Sequence, residues 1–235
     1  MVDQFADRRD AGRVLATLLR AYRGRSNGIV LGLPRGGVPV AYEVALELEL
    51  PLDVVLVRKL GVPGHEELAM GAISSGGVRF LNRVLIEELR ISEAAVEEAT
   101  TREAREMERR AREYRDGRPP LDVRGLTAIL VDDGLATGAT MLAAVAALAQ
   151  LAPARIVVAV PVGSPEACLE LGQQVDEIVC AIIPERFHAV GTWFSDFEPT
   201  TDGEVRELLR RAAQRRLPGG ERPAPPEAID SSDPR

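Results

Sequence analysis

Residues 129–140 read Ile-Leu-Val-Asp-Asp-Gly-Leu-Ala-Thr-Gly-Ala-Thr, and this stretch decides the fold. Its apolar start predicts a buried strand over 127–131, and the segment 139–151, rich in alanine and leucine, predicts a helix. The loop between them consists of small residues and threonines, so it exposes backbone N–H groups and hydroxyls at a helix N-terminus. The stretch therefore predicts a loop that binds an anion such as a phosphate.

Two adjacent acids, Asp132 and Asp133, stand directly before this loop. They would repel a phosphate unless they meet hydroxyl groups or a metal ion, and a phosphorylated sugar satisfies both the acids and the loop. A simple turn at Gly134 is less favoured, because it leaves the acid pair and the following Thr-Gly-Ala-Thr without a role. The chain has neither the Gly-Lys step of a Walker loop nor the GxGxxG spacing of a dinucleotide-binding loop.

The stretch resembles the phosphoribosyl-diphosphate (PRPP) motif of the type I phosphoribosyltransferases. That motif is a hydrophobic triplet, two acids, Gly, two variable residues, Thr-Gly and a small residue before Thr. In that family the acid pair binds the ribose 2′ and 3′ hydroxyls, and the following loop binds the 5′-phosphate. The resemblance covers about 28–183 and implies a PRPP site made of Asp132, Asp133, Gly134, Leu135, Ala136, Thr137, Gly138, Ala139 and Thr140.

Predicted strands and helices alternate along the rest of the chain. Strands are predicted over 28–33, 52–57, 155–160 and 177–182, and helices over 7–22, 38–48, 165–171 and 201–216. This alternation predicts a doubly wound, mostly parallel α/β sheet with its binding loops at the carboxyl ends of the strands. The resemblance adds the expectation of a small hood over the ribose site and a flexible lid loop.

The first predicted strand runs into Leu33-Pro34-Arg35-Gly36-Gly37. This segment resembles the family's pyrophosphate loop, in which an often cis, non-proline peptide points backbone N–H groups at the diphosphate. Glycine permits such a backbone. The resemblance implies that Arg35, Gly36 and Gly37 bind pyrophosphate. By itself the segment also fits an ordinary strand-to-helix turn with Arg35 on the surface.

Lys59 is the single lysine of a chain with 29 basic residues. It follows Arg58 in a predicted loop over 58–67 that is punctuated by glycine and proline. The resembling enzymes carry a mobile loop here, which closes over the reaction centre and excludes water. A cation in this loop would neutralise the charge of the departing diphosphate. We therefore predict catalytic roles for Lys59 and Arg58 beside Asp132 and Asp133.

Four aromatic residues fall within 187–197, although the whole chain has only five Phe, three Tyr and one Trp. In the resembling enzymes a hood over the ribose site holds the nucleobase, and part of that hood can come from this region. The resemblance implies that Trp193 or Phe194 stacks on the base and that Asp196 binds its edge. Packing of the C-terminal region onto the sheet is an equally good interpretation of these aromatics.

One phosphoribosyltransferase domain is expected over 1–216, with a hood that combines the N-terminal segment and about 184–216. A long charged helix over about 92–115, capped by Ser92, is expected to be an insertion of unassigned role. Its apolar stripe is weak, so we expect this helix to be solvated. The remaining 217–235 is rich in Pro, Gly and acids, which predicts a disordered tail.

Composition narrows the function further. A formal net charge of −7 and a pI near 5.1 argue against nucleic acid as a partner. No apolar run approaches the ~20 residues of a membrane span, and the first nine residues lack the apolar stretch of a signal peptide. A cytoplasmic protein without membrane contact is expected. Cys168 and Cys180 have no metal-ligand spacing and are expected to be buried apolar residues.

These observations together predict a PRPP-dependent phosphoribosyltransferase of nucleotide salvage, a pentosyltransferase that moves 5-phosphoribosyl to a nitrogenous base and releases pyrophosphate. The resemblance implies Mg2+ as cofactor, held mainly by PRPP oxygens and water, with no direct protein ligand. The acceptor stays open, although a nucleobase is expected, and a homodimer is common among the resembling enzymes. The main alternative is a PRPP-sensing regulator of the same fold without catalysis. A phosphosugar- or nucleotide-binding module of another α/β family is a further alternative.

Overall fold

The computed structural model describes residues 4–74, 79–120 and 122–215, so the tail expected over 217–235 lies outside the described residues. Its main elements are α1 (Arg8–Leu18), β1 (Gly28–Gly32), α2 (Gly37–Leu48), β2 (Leu52–Val54), β3 (Val57–Val62), β4 (His65–Ser74), β5 (Arg79–Leu81), α3 (Arg83–Glu88), α4 (Glu93–Arg115), β6 (Thr127–Val131), α5 (Ala139–Ala149), β7 (Arg155–Val162), α6 (Pro165–Gly172), β8 (Glu177–Ile182) and α7 (Asp202–Gln214). None of the helices in the described ranges is both long enough and apolar enough to cross a bilayer.

Five parallel strands form the central sheet, in the order β2-β1-β6-β7-β8. Every residue of β1 and β6 is buried, because helices cover both faces of the sheet. Alternate side chains of these strands divide between two clusters. Ile29 and Leu31 pack on the side of α5 and α6, whereas Val30 packs on the side of α1 and α2. The predicted doubly wound, mostly parallel α/β fold is therefore confirmed.

Short polar side chains cap the starts of five helices in the described part of the chain, one of which is α3, where Asn82 Oδ1 accepts from Leu85 N at 3.1 Å. Asp7, Ser92, Ser164 and Thr201 each accept a hydrogen bond from a backbone N–H in the first turn of α1, α4, α6 and α7, respectively. Helix α5 begins differently, after Gly138 in the left-handed region with φ 74°. Gly138 offers no side-chain cap and Thr137 Oγ1 accepts from Ala139 N only at 3.5 Å, so N–H groups of the first turn remain available to a ligand.

A separate antiparallel sheet, in the order β3-β4-β5, occupies the position predicted for the flexible lid loop. The loop prediction for 58–67 is wrong, because only Pro63 and Gly64 form a turn between two paired strands. Leu60 and Val62 of β3 are buried in one cluster with residues of β4, α4 and α7. Glycine and proline suggested a loop, but this apolar alternation holds the hairpin against the body of the protein.

The charged helix expected over 92–115 is observed as α4, and it is less solvated than expected. Its apolar stripe packs against the hairpin and α7, with Val96, Ala99, Met107 and Tyr114 buried. In its last turn Arg115 is buried against Asp53 of β2, with 2.9 Å between Nε and Oδ1. The same guanidinium donates to the Val54 carbonyl oxygen at 2.8 Å. Helix α4 therefore fastens the antiparallel sheet to the edge of the central sheet.

The N-terminal segment pairs with the segment that follows β8. Phe5 N donates to Trp193 O at 2.9 Å, and Ser195 N donates to Phe5 O at 2.8 Å. We call the paired segments 4–7 and 187–198 the hood. Phe5 and Phe194 are both buried, and their ring centroids lie 5.5 Å apart. This contact brings the N-terminus of α1 next to the carboxyl edge of the central sheet.

Replacing Arg115 with Met tests the fastening by α4. The change removes the guanidinium that neutralises the buried Asp53 carboxylate, so the free energy of unfolding should fall by about 3–5 kcal/mol. Urea denaturation at pH 7 measures the loss. As a control, Arg109→Met on the exposed face of the same helix should leave the unfolding midpoint nearly unchanged. Equal small losses in both variants would show that α4 does not depend on the buried pair.

Candidate active site

Two predicted loops meet at the carboxyl ends of the adjacent strands β1 and β6. The Pro34–Arg35 peptide bond is cis, as the resemblance implies for the pyrophosphate loop. A Cβ added at Gly36 would lie 2.0 Å from Oδ2 of Asp133, and one at Gly37 would lie 2.8 Å from Cα of Asp132. Glycine at these two positions therefore allows the loop after β1 to touch the acid pair after β6.

The three residues predicted to bind pyrophosphate differ in what they can offer. The N–H of Gly37 donates to Leu33 O at 3.0 Å, which begins α2. Among the described residues, none accepts a hydrogen bond from the N–H of Arg35 or Gly36. The Arg35 side chain is exposed, as in the surface alternative, and it faces α4. Tyr114 of α4 shows the effect of this charge. Burial and a hydrogen bond to Asp202 raise the pKa of Tyr114 to about 12, and the positive charge of Arg35 opposes this rise.

One oxygen of each carboxylate in the acid pair is already engaged. Oδ1 of Asp132 accepts a hydrogen bond from Asp133 N at 2.9 Å. Oδ2 of Asp133 accepts a hydrogen bond from Arg8 Nε at 2.8 Å and forms an ion pair with Nη2 of the same guanidinium, also at 2.8 Å. No residue within the described ranges donates to the other oxygen of either acid. Asp132 Oδ2 and Asp133 Oδ1 are thus left for a ligand.

Burial controls the protonation of the acid pair. It raises the pKa of Asp132 well above the ordinary range, and the charge of Asp133 adds to this rise. Burial also raises the pKa of Asp133, whereas Arg8 opposes that rise through its charge and its hydrogen bonds. Arg8 is therefore the group that favours the ionised form of the pair. Nothing in the sequence distinguishes Arg8 from the other arginines, and the sequence analysis missed it.

The predicted phosphate loop is held firmly beside the end of β7. Leu135 N donates to Val162 O at 2.8 Å, and Ser164 N donates to Leu135 O at 2.8 Å. The Ser164 hydroxyl also donates to Ala136 O at 2.8 Å. Thr137 and Thr140 remain exposed at the uncapped start of α5. This arrangement offers backbone N–H groups and hydroxyls to an anion, as predicted for the loop.

The two cations predicted to be catalytic lie on opposite faces of the β3–β4 hairpin. Arg58 is paired with Glu103 of α4, with 2.6 Å between Nη2 and Oε2, so its charge is already compensated. The ion pair gives Arg58 a structural contact with α4, and its predicted catalytic role stays a prediction. Lys59 points to the other face by strand alternation, is exposed, and has Ala72 as its cross-strand neighbour.

Lys59 shares its face of the hairpin with Val57, two residues earlier. Val57 packs against the apolar cluster that includes Met141 of α5. This face is therefore the one directed toward the helix that carries the phosphate loop. Of the two predicted cations, Lys59 is the one placed to act near a bound phosphate.

The predicted base-binding residues of the aromatic segment differ in how far they are buried. Phe194 is only 4% exposed, and its ring lies 5.5 Å from that of Phe5 and 4.9 Å from that of Phe197. Its predicted stacking on a base is therefore wrong, because core packing has used both faces of the ring. Trp193 is half-buried against the same cluster, and Asp196 is exposed with Oδ1 accepting from Glu198 N at 3.1 Å.

A cavity of about 500 Å³ opens beside the phosphate loop instead. It lies between the first turn of α6 and the start of the aromatic segment. Its lining residues are Ala136, Thr137, Ser164, Pro165, Glu166, Ala167, Glu170, Glu185, Arg186, Phe187 and His188. Phe187 is the aromatic ring that faces this cavity. The sequence analysis missed it because it assigned base stacking to Trp193 or Phe194 of the same aromatic segment. Within the described ranges, no three His, Cys, Asp or Glu side chains cluster closely enough to hold a metal ion.

The sequence model of one protein family, described as the phosphoribosyl transferase domain, matches residues 1–190, which is most of the chain. This chain belongs to the phosphoribosyl transferase family. The resemblance inferred from the PRPP motif is thereby confirmed at the level of the family. The matched residues include the acid pair, the loops after β1 and β6, and the beginning of the hood.

Two curated relatives and one solved structure are similar to most of this chain. A Mycobacterium tuberculosis (strain H37Rv) protein provisionally named a phosphoribosyl transferase is 45% identical over 208 residues, which is 88% of this chain and 47% of that protein. The same values hold for its counterpart in strain CDC 1551. The chain thus spans about half the length of these curated relatives. The crystal structure of TT1426 from Thermus thermophilus is 44% identical, has a TM-score of 0.79, and covers 88% of this chain and 98% of its own.

Gly36→Ala tests the contact between the two loops of this phosphoribosyl transferase. A Cβ 2.0 Å from Asp133 Oδ2 forces the loop or the acid pair to move, so unfolding should become easier by about 1–3 kcal/mol. Scanning calorimetry gives the change in Tm. The control is Gly203→Ala in α7, whose Cβ would meet no atom nearer than 3.8 Å and whose Tm should hold or rise. If both variants melt like the wild type, the close approach of the loops is contradicted.

Proposed function

We propose that this protein is a PRPP-dependent phosphoribosyltransferase, which transfers 5-phosphoribosyl to a ring nitrogen of an acceptor and releases pyrophosphate. The observation that carries the proposal is the meeting of three features at one edge of the sheet. These are the acid pair, the small-residue loop at the start of α5, and the cis-peptide loop after β1. Their chemistry matches the ribose hydroxyls, the 5′-phosphate and the diphosphate of PRPP.

The acid pair supports a ligand with two neighbouring hydroxyls. Each acid keeps one oxygen for a ligand, Oδ2 in Asp132 and Oδ1 in Asp133, so two acceptors match two donors. Hydroxyl donors bind an ionised carboxylate more strongly than a protonated one. The pKa values of both acids are raised by burial, so affinity for the sugar should increase as pH rises through them.

The reaction breaks the bond between ribose C1 and a diphosphate oxygen and forms a bond between C1 and the acceptor nitrogen, which gives up its proton. Negative charge then accumulates on the leaving diphosphate, and fixed positive groups around it lower the barrier. In this chain the N–H groups of Arg35 and Gly36 and the ammonium of Lys59 would serve. Mg2+, carried by diphosphate oxygens and water at this acidic edge, would supply further positive charge when bound.

The cavity beside the phosphate loop is the proposed acceptor site. Its volume of about 500 Å³ suits a small heterocycle, and Phe187 offers a ring on which a planar base could stack. Polar groups from Glu185 and His188 lie at the same wall and could bind the edge of the base. A nucleobase is therefore the proposed acceptor class, which would place the reaction in nucleotide salvage.

One observation favours the PRPP-sensing alternative. The hairpin in the lid position packs against α4 through Leu60, Val62 and the Arg58–Glu103 ion pair, rather than forming an open loop. A sensor needs the PRPP site but no closing lid. Pyrophosphate release from PRPP with a panel of purine and pyrimidine bases separates the two functions, because a sensor would bind PRPP and release none.

Calorimetric titration of PRPP, with and without Mg2+, is the first test of the sugar site. Asp132→Asn and Asp133→Asn each remove a charge-assisted hydrogen bond, so each should weaken PRPP binding by about 1.5–3 kcal/mol. Asp122→Asn is the matched control, because Asp122 is exposed before the amino end of β6 whereas the acid pair follows its carboxyl end, and this variant should bind like the wild type. Unaltered PRPP affinity in both acid-pair variants would show that the acid pair does not bind the ribose hydroxyls.

Lys59→Gln tests the cation on the hairpin. Loss of the ammonium should slow pyrophosphate release about 100- to 1,000-fold while PRPP affinity changes much less, because the charge matters most when the diphosphate departs. The assay is single-turnover release of pyrophosphate. The neighbouring Arg58→Gln should act mainly on stability, because it breaks the ion pair with Glu103. Equal rate losses in the two variants would assign the effect to the hairpin rather than to the ammonium.

A further inference from the structure

Arg8, the first residue of α1, connects the acid pair to the hood. Its side chain is only 11% exposed. Nε donates to Oδ2 of Asp133 and Nη1 donates to the carbonyl oxygen of Glu198, both at 2.8 Å, while Nη2 lies 2.8 Å from the same Oδ2 in an ion pair. The guanidinium carbon lies 3.8 Å from the centre of the Phe197 ring. All three guanidinium nitrogens are thus engaged, by groups that meet beside the acid pair.

We propose that Arg8 is a positioning residue of the sugar site, which holds Oδ2 of Asp133 and thereby presents Oδ1 to a ribose hydroxyl. This inference rests on the proposed function, because it takes ribose as the ligand of the acid pair. Two donors on one oxygen fix the rotation of the carboxylate. The position of Gly36 agrees, since a Cβ there would lie 2.0 Å from Oδ2 but 3.3 Å from Oδ1. Oδ2 is therefore the oxygen turned toward the protein.

Two charged side chains in the described ranges face the Asp133 carboxylate. Asp132 comes from the end of the same strand, and Arg8 comes from α1. The loop after β1 contributes Gly36, which carries no charge, and the hood contributes the backbone carbonyl of Glu198. Burial opposes the ionisation of Asp133, and Arg8 is the cation that favours it.

Removing Arg8 should therefore change the protonation of the site as well as its shape. Burial would then no longer be opposed by a cation, and the pKa of Asp133 would rise further. A protonated Asp133 no longer offers a charged acceptor to the ribose. PRPP binding should then be weak at neutral pH and recover at higher pH, when Asp133 ionises.

The experiment measures PRPP affinity by calorimetry from pH 6 to pH 9 in the presence of Mg2+. Arg8→Met should move the midpoint of the pH profile upward by about one pH unit or more, with affinity recovered at the alkaline end. Arg8→Lys keeps a positive charge and should lie between Arg8→Met and the wild type. Arg13→Met removes an exposed arginine from the same helix and should superimpose on the wild type. A uniform loss of affinity without any shift would reduce Arg8 to a structural role and overturn the proposal.

A second readout needs no ligand and separates this inference from the proposed function. Because Arg8 stabilises only ionised Asp133, the difference in Tm between wild type and Arg8→Met should widen from pH 5 to pH 8. In an Asp133→Asn background the difference should depend on pH much less, because only the smaller effect of Arg8 on Asp132 remains. If the wild type binds no PRPP but this pattern holds, the proposed function fails while the Arg8–Asp133 coupling stands. A Tm difference independent of pH in both backgrounds overturns the coupling itself. If Arg8→Met does not fold, Arg8→Lys should give a smaller change of the same sign.

Discussion

Asp132 and Asp133 end a strand whose every residue is buried, so two like charges reach a part of the protein where water is scarce. The ion pair between Asp133 and Arg8 is the interaction that makes this arrangement possible. It draws the start of α1 to the carboxyl edge of the sheet and brings the backbone near Glu198 to the same place. The N-terminal segment and the segment after β8 are therefore joined over the acid pair, and the hood follows from that junction.

Lack of space around the acid pair restricts which residues can stand beside it. The loop after β1 can approach Asp133 only without a side chain at Gly36, and Val190 of the hood lies where a side chain at Gly134 would stand. These contacts leave one oxygen of each acid uncommitted. The proposed sugar site therefore consists of the two carboxylate oxygens that no other contact has occupied.

The antiparallel sheet and α4 form a second unit, fastened to β2 by the buried pair of Arg115 and Asp53. This unit replaces the open lid that the glycine and proline of 58–67 suggested. Its packing also divides the two neighbouring cations, because Arg58 is taken by Glu103 and Lys59 remains exposed on the opposite face. Movement near the diphosphate would therefore involve a packed hairpin, which is slower and more cooperative than a disordered loop.

Local patterns in the sequence determined the central fold and part of the site. The sequence shows apolar runs, helix caps and the Asp-Asp-Gly segment directly, because each consists of residues that are close together in the chain. The parallel sheet, the predicted phosphate loop and the family could therefore be inferred from them. Long-range contacts could not be found in the same way. Arg8 lies 125 positions from Asp133, and nothing near it in sequence marks it. Likewise, only packing showed that Phe194 is core and that Phe187 faces a cavity, because both are equally apolar in the sequence and differ only in what surrounds them.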